Sequence, residues 1–330
     1  MRAVTWVYPR MHNGRRTLGR YQLGPRLGVG GMAEVYRAQA RGADGFARDV
    51  ALKVLLPDCR DDPELVEMFI EEARLCAELD HPNIISVFDF GEADGERFMA
   101  MELVDGLDLA ALLRWSRAQG GALPLGAAAL VGVELCRALG YAHQRGLVHR
   151  DVSPQNVFVT HAGAVKLADF GIARGGARRS RTARGQIRGK LGYLAPEQVR
   201  SEPLDGRADL YALALVLFEL VTGAPYLEGE TDAALLIAAA DPPARAPSSV
   251  RAEASVFDAV LAEALQPHPL RRPRDAAALG RGLQAVAKQL GGLPGPEALA
   301  ELVRRARVGK AEAAVAALTA KAWRICATCT

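Results

Sequence analysis

The segment at residues 149–171 places acidic side chains in a predominantly apolar setting. Its first part reads HRDVSPQNVFV at residues 149–159, and its second part reads VKLADFG at residues 165–171. The apolar, β-branched runs in both parts predict two short strands joined by a turn around Ala162-Gly163. This hairpin would place Asp151, Asn156 and Asp169 close together at one of its ends.

These three side chains suit a metal-dependent reaction. Carboxylate and amide oxygens are ligands of Mg²⁺, which also keeps room for phosphate oxygens. One of the two acids would then remain available as a base. The alternative is a solvated β-hairpin that happens to be acidic.

The same stretch resembles the His-Arg-Asp catalytic loop and the Asp-Phe-Gly motif of the protein kinases. The resemblance implies that Asp151 orients an acceptor hydroxyl and accepts its proton. It also implies that Asn156 and Asp169 hold Mg²⁺ and that the phosphoryl donor is ATP.

A second motif lies near the N-terminus, where two strand-like halves flank a glycine turn with Gly28, Gly30 and Gly31. Glycines allow backbone amides to approach a polyphosphate closely. Glycine-rich hairpin turns are common, so the motif gains weight from the VALKVL run that follows at residues 50–55. Together they are similar to the kinase glycine-rich loop and the strand with the phosphate-binding lysine, although Ala33 replaces the third glycine.

Lys53 lies within that apolar run, where an unpaired ammonium would be costly. Pro63 opens a helical segment to about Leu79. By the kinase pattern an inward acid of this helix pairs with the lysine, and alignment selects Glu72 over Glu71. The other glutamate would belong to a solvated helix face.

Residues 84–90 and 97–103 alternate like strands around a turn at residues 92–95. The MELVDG run at residues 101–106 resembles the kinase gatekeeper and hinge, which implies that the Glu102 carbonyl and Val104 amide bind adenine. The implied nucleotide contacts are Leu27, Gly28, Gly30, Gly31, Val35, Ala51, Lys53, Met101, Glu102, Val104, Asp108, Phe158 and Asp169. The apolar residues among these contacts are equally compatible with an ordinary core.

Residues 172–190 carry six arginines and one lysine without an acid. Such a segment repels itself, and we expect it to be mobile until an anion neutralises it. Ser180 and Thr182 lie in its middle, and Arg150 corresponds to the residue that docks a loop phosphate in many kinases. Autophosphorylation would supply that phosphate. The alternative is a solvated basic loop that recruits acidic substrates.

The remaining kinase features lie downstream. The GYLAPE run at residues 192–197 matches the Ala-Pro-Glu motif, and Arg272 is the expected structural partner of Glu197. The helix that opens at Asp209 is too apolar to be amphipathic and should be buried on all sides.

The resemblance implies an α+β, two-lobed protein kinase fold, with a small antiparallel sheet and one helix above a larger, mainly helical lobe. We expect a basic N-terminal arm at 1–20, a kinase domain at 21–290 and a helical extension at 291–330. The small lobe would span about 21–103 and the large lobe about 107–290.

Composition sets outer limits. The chain of 330 residues is 50% hydrophobic and 24% charged, as in globular domains, and its net charge of +3 is too small to indicate nucleic-acid binding. We find no export signal, and the apolar run Leu210–Val221 is too short to span a bilayer. Five scattered cysteines favour a reducing, cytoplasmic setting over a disulfide framework. The Cys326–Cys329 pair is weak evidence for metal or redox chemistry.

The predicted function is a bacterial kinase of the eukaryotic type that transfers phosphate from ATP to Ser or Thr hydroxyls of proteins. Alternatives are a pseudokinase, which binds nucleotide without turnover, and a small-molecule kinase. Two departures bear on this: Ser153 stands where serine/threonine kinases carry a lysine, and Lys190 stands where they carry a threonine. We hypothesise that Lys190 donates to Asp151 and Ser153 and restores the missing charge. Otherwise Lys190 is one more solvated base of its loop.

Overall fold

The computed structural model describes residues 11–12, 15–170 and 190–309. A seven-stranded antiparallel sheet forms the N-terminal lobe in the order β1-β2-β3-β4-β5-β7-β6. Its strands are β1 (Met11–His12), β2 (Arg15–Leu18), β3 (Tyr21–Val29), β4 (Ala33–Arg41), β5 (Ala47–Leu55), β6 (Val87–Ala93) and β7 (Glu96–Glu102).

The strand β5 is central because its second half is apolar on both faces. Residues 50–55 are all buried, between the sheet's outer core and the helix α1 (Pro63–Ala77). Asp62 caps α1 by accepting from Glu64 N and Leu65 N, and Phe69 anchors the helix to the sheet with 0% exposure. The predicted lysine strand and helix are therefore present, and α1 ends two residues before the predicted limit.

The basic arm predicted at residues 1–20 includes a strand, Arg15–Leu18, among its described residues. Strand β2 pairs with β3 through Thr17–Gln22 and Leu18–Tyr21. Leu18 is 1% exposed in the small-lobe core, so a single apolar residue at the end of a basic run is enough to add this strand.

The C-terminal lobe is built on helices, with a small sheet facing the other lobe. This sheet has the order β10-β9-β8, from β8 (Gly106–Asp108), β9 (Val157–Thr160) and β10 (Val165–Leu167). Its hairpin agrees with the strands predicted from the sequence. The helices of this lobe include α2 (Leu109–Ala118), α3 (Leu125–His143), α4 (Pro196–Val199), α5 (Arg207–Thr222), α6 (Asp232–Ala240), α7 (Asp258–Ala264) and α8 (Ala276–Gln289).

The helix α5 is buried over nearly its full length, as its uniformly apolar sequence predicts. It ends where Gly223 adopts a left-handed φ of 75°. The helix α3 is long and apolar enough to cross a membrane by composition, but 67% of its most apolar window is buried inside the lobe. Burial of that kind is typical of a core helix.

A further helix, α9 at residues 297–309, packs on the large lobe. Its inward side chains Leu299, Leu302, Val303 and Ala306 are at most 5% exposed and belong to the same core as α3 and α5. The first part of the predicted extension therefore completes the lobe. The cysteines at 326 and 329 lie outside the described residues.

Candidate active site

Lys53 forms the ionic centre of the cleft between the lobes. Its Nζ donates to Glu72 Oε1 at 2.6 Å and to Asp169 Oδ1 at 3.0 Å. Burial alone would lower the pKa of Lys53, but the carboxylates of Asp169 and Glu72 outweigh burial and raise it. Lys53 in turn lowers the pKa of Asp169. The strand β5, the helix α1 and the second residue after β10 thus meet at one charged cluster.

Glu72, the glutamate selected from the sequence, and its neighbour Glu71 lie in different environments. Glu72 is buried at 4% exposure and pairs with Lys53, whereas Glu71 is exposed. The ammonium of a lysine held between two carboxylates can bind phosphate oxygens instead, and it stays protonated when it does so.

Asp151 lies on the loop between α3 and β9. Asn156 Nδ2 donates to Asp151 O at 2.8 Å and to Asp151 Oδ2 at 3.0 Å. These bonds tie the ends of the turn together and hold the carboxylate in one orientation. A carboxylate held in this way can receive a proton from a hydroxyl placed beside it.

Asp209 fixes this loop, a role that was not predicted from the sequence. Asp209, at the start of α5, accepts from the backbone N of His149 and of Arg150, both at 2.7 Å. Arg150 has a positive φ of 64°, which these bonds stabilise. The signal in the sequence is an acid in the first turn of a largely apolar helix, because a buried carboxylate needs donors.

The ring of His149 also holds this loop through hydrogen bonds. Its Nδ1 accepts from Asp151 N at 3.2 Å, so the neutral ring carries its proton on Nε2 and donates to Ala168 O at 2.9 Å. The ring is fully buried and lies 4.6 Å from the ring of Phe170. Burial lowers the pKa of His149, and neutral histidine therefore links the two motifs.

Lys190 is the first described residue after the gap at 171–189. Its Nζ donates to Asp151 Oδ2 at 2.6 Å. Ser153 is 1% exposed, and its Oγ has no hydrogen-bond partner within the described residues. The structure thus places Lys190 on Asp151, while the hypothesised bond from Lys190 to Ser153 is not formed.

An apolar cluster lines the cleft beside Lys53. Ala51, Met101, Ile85 and Ala168 are its buried members, and Val35, Val104 and Phe158 pack against them. The apolar side chains of Val35, Ala51, Met101, Val104 and Phe158, all implied nucleotide contacts, therefore lie in one cluster. Such a cluster fits the flat face of an aromatic ring.

Other predicted nucleotide contacts lie around this surface. A Cβ on Gly28 would meet nothing within 4 Å, so the fold leaves space there, and Leu27 on the same strand is 53% exposed. Glu102 pairs with Lys166 at 2.9 Å. Asp108 Oδ1 accepts from Ala111 N at 2.6 Å and caps α2, which gives this residue a structural role in addition to the predicted nucleotide contact. The remaining glycines, Gly30 and Gly31, lie in the turn between β3 and β4.

The residues present fit a Mg²⁺ ion. Asn156 uses its amide nitrogen on Asp151, and its Oδ1 is the atom with coordinating chemistry. The side chain of Asp169 is 46% exposed toward the cleft. Among the described residues no cluster of three His, Cys, Asp or Glu side chains could hold a metal, so substrate phosphates and water would complete the shell.

Glu197 and Arg272 form the predicted buried ion pair, with Nη1–Oε1 at 2.6 Å and Nη2–Oε2 at 2.8 Å. The bidentate pair anchors α4, which follows the segment at 171–189. Ser180 and Thr182 belong to that segment and lie outside the described residues.

Comparison with known proteins agrees with this geometry. A family model described as "Protein kinase domain" matches residues 21–273. The solved kinase domain of PknI from Mycobacterium tuberculosis superposes with a TM-score of 0.64 at 34% sequence identity, covering 84% of this chain and 100% of that chain.

Curated relatives include the tyrosine-protein kinase MasK of Myxococcus xanthus, 37% identical over 81% of this chain. The serine/threonine-protein kinases PknB of Mycobacterium tuberculosis and PrkC of Bacillus subtilis are each 38% identical, over 81% and 75% of this chain. The chain spans about 43%, 43% and 37% of the lengths of these three relatives. The predicted two-lobed kinase fold is confirmed, and the chain belongs to the protein kinase family.

Proposed function

We propose that this domain transfers the γ-phosphoryl group of ATP to serine or threonine hydroxyls of proteins. The observation that carries the proposal is the assembled ionic centre, in which Lys53 contacts Glu72 and Asp169 across the cleft from Asp151. A pseudokinase would not need these groups to be in place together.

In the proposed reaction the acceptor hydroxyl lies against Asp151. Its oxygen forms a bond to the γ-phosphorus, the bond from phosphorus to the β,γ-bridging oxygen breaks, and ADP leaves. Asp151 orients the hydroxyl and accepts its proton. Lys53, positioned by Glu72, binds the α- and β-phosphates, while Asn156 and Asp169 would hold Mg²⁺, which neutralises phosphate charge when bound.

The choice of acceptor is supported by the relatives PknB and PrkC, which are named serine/threonine-protein kinases, whereas MasK is named a tyrosine-protein kinase. Pro154 after Ser153 also resembles the serine/threonine kinases. We further propose regulation by autophosphorylation at Ser180 or Thr182. A cytoplasmic site of action fits the use of ATP and the three described cysteines, Cys59, Cys76 and Cys136, which are free thiols.

The test is incubation of the purified chain with γ-labelled ATP, Mg²⁺ and a generic protein substrate, followed by phosphoamino acid analysis. We expect labelled serine and threonine from the wild type. Asp151→Asn should bind ATP with unchanged affinity and transfer no label. Label on tyrosine alone would overturn the acceptor assignment, and nucleotide binding without any label would establish a pseudokinase.

A further inference from the structure

The ion pair between Lys190 and Asp151 is costly to form, because it requires desolvation and ordering of charged side chains. The Asp151 side chain is 9% exposed and that of Lys190 is 28% exposed, so both charged groups are largely withdrawn from water. Ordering a lysine side chain also costs conformational entropy. A solvated base would not be held in this way, and the 2.6 Å contact therefore indicates that the Lys190 ammonium has a specific role at Asp151.

The contact between Lys190 and Asp151 affects the charge balance of the cleft. Three carboxylates converge there, from Glu72, Asp151 and Asp169, and Lys53 already contacts two of them. A polyphosphate brought to this place adds further negative charge beside Asp151. The Lys190 ammonium offsets the repulsion at the carboxylate on which the acceptor must lie.

The loop itself provides no cation at the position two residues after Asp151. Ser153 is there, fully buried, with an Oγ that lacks a partner within the described residues. A buried hydroxyl without a partner is destabilising, because the hydrogen bonds that it made to water are not replaced. The loop thus keeps an unsatisfied polar group beside the base, while positive charge reaches the base from the next segment of the chain.

We propose that Lys190 is a catalytic residue of the phosphoryl transfer, an inference that rests on the proposed function. At rest its ammonium holds the Asp151 carboxylate. When the acceptor hydroxyl occupies Asp151, the ammonium turns to the non-bridging oxygens of the transferring phosphoryl group and stabilises their charge. Lys190 remains protonated throughout, and the acceptor proton goes to Asp151.

The experiment compares kcat, the KM for ATP, the KM for the protein substrate and the melting temperature among variants. Lys190→Met should lower kcat by roughly 10²-fold or more, since removing one preorganised charge stabiliser typically has that effect. Its affinity for ATP should stay within threefold of the wild type. Lys190→Arg should retain more activity than Lys190→Met, and the exposed Lys288→Met should match the wild type.

A rescue distinguishes catalysis from loop stability. Ser153→Lys combined with Lys190→Thr moves the ammonium to the catalytic loop, where related kinases carry it. The double variant should regain at least tenfold in kcat over Lys190→Thr alone. If Lys190→Met melts below the assay temperature, the comparison of Lys190→Arg, Lys190→Thr and the double variant decides the matter.

The outcomes separate two failures. A wild type that transfers no phosphate would overturn the proposed function together with this role. An active wild type whose Lys190→Met and Lys190→Thr variants keep kcat within threefold would overturn the role of Lys190 alone. An increase in kcat on removing the ammonium would also overturn it, because Lys190 would then be an inhibitory latch on Asp151.

Discussion

Lys53 joins the two lobes through Glu72 on one side and Asp169 on the other, with Nζ–O distances of 2.6 and 3.0 Å. Glu72 comes from the helix of the small lobe and Asp169 from the end of the strand β10. The lysine therefore occupies its working position only when the helix α1 is docked against the sheet.

This relationship predicts that Glu72→Gln lowers kcat/KM for ATP by tenfold or more. The amide keeps the shape of the side chain but removes the charge that fixes the ammonium, so Lys53 is no longer held toward the phosphates. Steady-state kinetics at varied ATP concentration measure the effect.

Glu71→Gln is the matched control, because Glu71 is the neighbouring glutamate of the same helix and is exposed. We expect its kcat/KM to stay within twofold of the wild type. Equal losses for both variants would show that α1 needs negative charge in general, and the specific pairing with Lys53 would then be wrong.

The second prediction concerns pH and His149. Burial depresses its pKa in the folded state below the ordinary value of about 6.5, whereas the unfolded chain titrates near 6.5. Above that pH both states are neutral and the residue adds no pH dependence. As the pH falls below it, only the unfolded state binds the proton, and the free energy of unfolding decreases.

We therefore expect the wild type to lose up to about 1.4 kcal/mol more per pH unit than His149→Gln between pH 6.5 and 5. Urea unfolding at several pH values measures this slope. His268→Gln, at an exposed position, should keep the wild-type slope. A wild-type slope in His149→Gln would mean that other groups dominate the titration.

The residues that could be assigned from the sequence are those whose chemistry is local. The catalytic-loop acid, the hairpin and the lysine strand each carry a short motif whose spacing fixes their relation. Asp209 was missed as an anchor because it lies 59 and 60 residues along the chain from the amides that it binds, and its partners are backbone groups. Backbone donors leave no mark in the sequence.

The helix α9 was visible as a helical pattern, but its docking was not. Its contacts depend on the hairpin β9–β10 and on Trp115, with Arg305 lying 5.4 Å from that ring. These partners come from distant parts of the chain. Strand β2 is similar, since its pairing with β3 depends on tertiary burial of Leu18 and overrides a basic composition.

The third prediction is that the active chain carries phosphate on Ser180 or Thr182. A phosphate brings about two negative charges and three acceptor oxygens into a segment rich in arginine. Mass spectrometry after incubation with ATP and Mg²⁺ should detect the modification, and the double variant Ser180→Ala with Thr182→Ala should lose most of its activity. Unmodified hydroxyls in active enzyme, with the double variant fully active, would leave the interpretation of a substrate-docking loop.

The fourth prediction tests whether the helix α9 is part of the kinase domain. Gly163, in the turn of the hairpin β9–β10, has a φ of +83°, and a Cβ there would clash with the carbonyl oxygen of Pro296, just before α9. Gly163→Ala therefore adds a clash with the docked helix to the backbone strain. We expect it to lower the melting temperature and to speed proteolysis in the GGLPGP run at residues 291–296.

Gly95→Ala provides the matched control. Gly95 also lies in a hairpin turn, with a φ of +75°, but its Cβ would meet nothing within 4 Å. Its substitution costs only the strain of a left-handed residue, about 1–2 kcal/mol. The additional loss in Gly163→Ala measures the docking of α9, and equal melting temperatures for the two variants would contradict that docking.

The docked helix also reaches the hinge. Arg307 Nη2 lies 2.8 Å from Asp105 Oδ1, one residue beyond Val104, and holds the pKa of that carboxyl below its usual value. If Gly163→Ala releases α9, this contact is lost with it. Arg307→Ala should then change the KM for ATP in the wild type but add nothing in Gly163→Ala, because both changes remove the same contact. Additive effects in the double variant would show that Arg307 holds the hinge independently of how the start of α9 is seated.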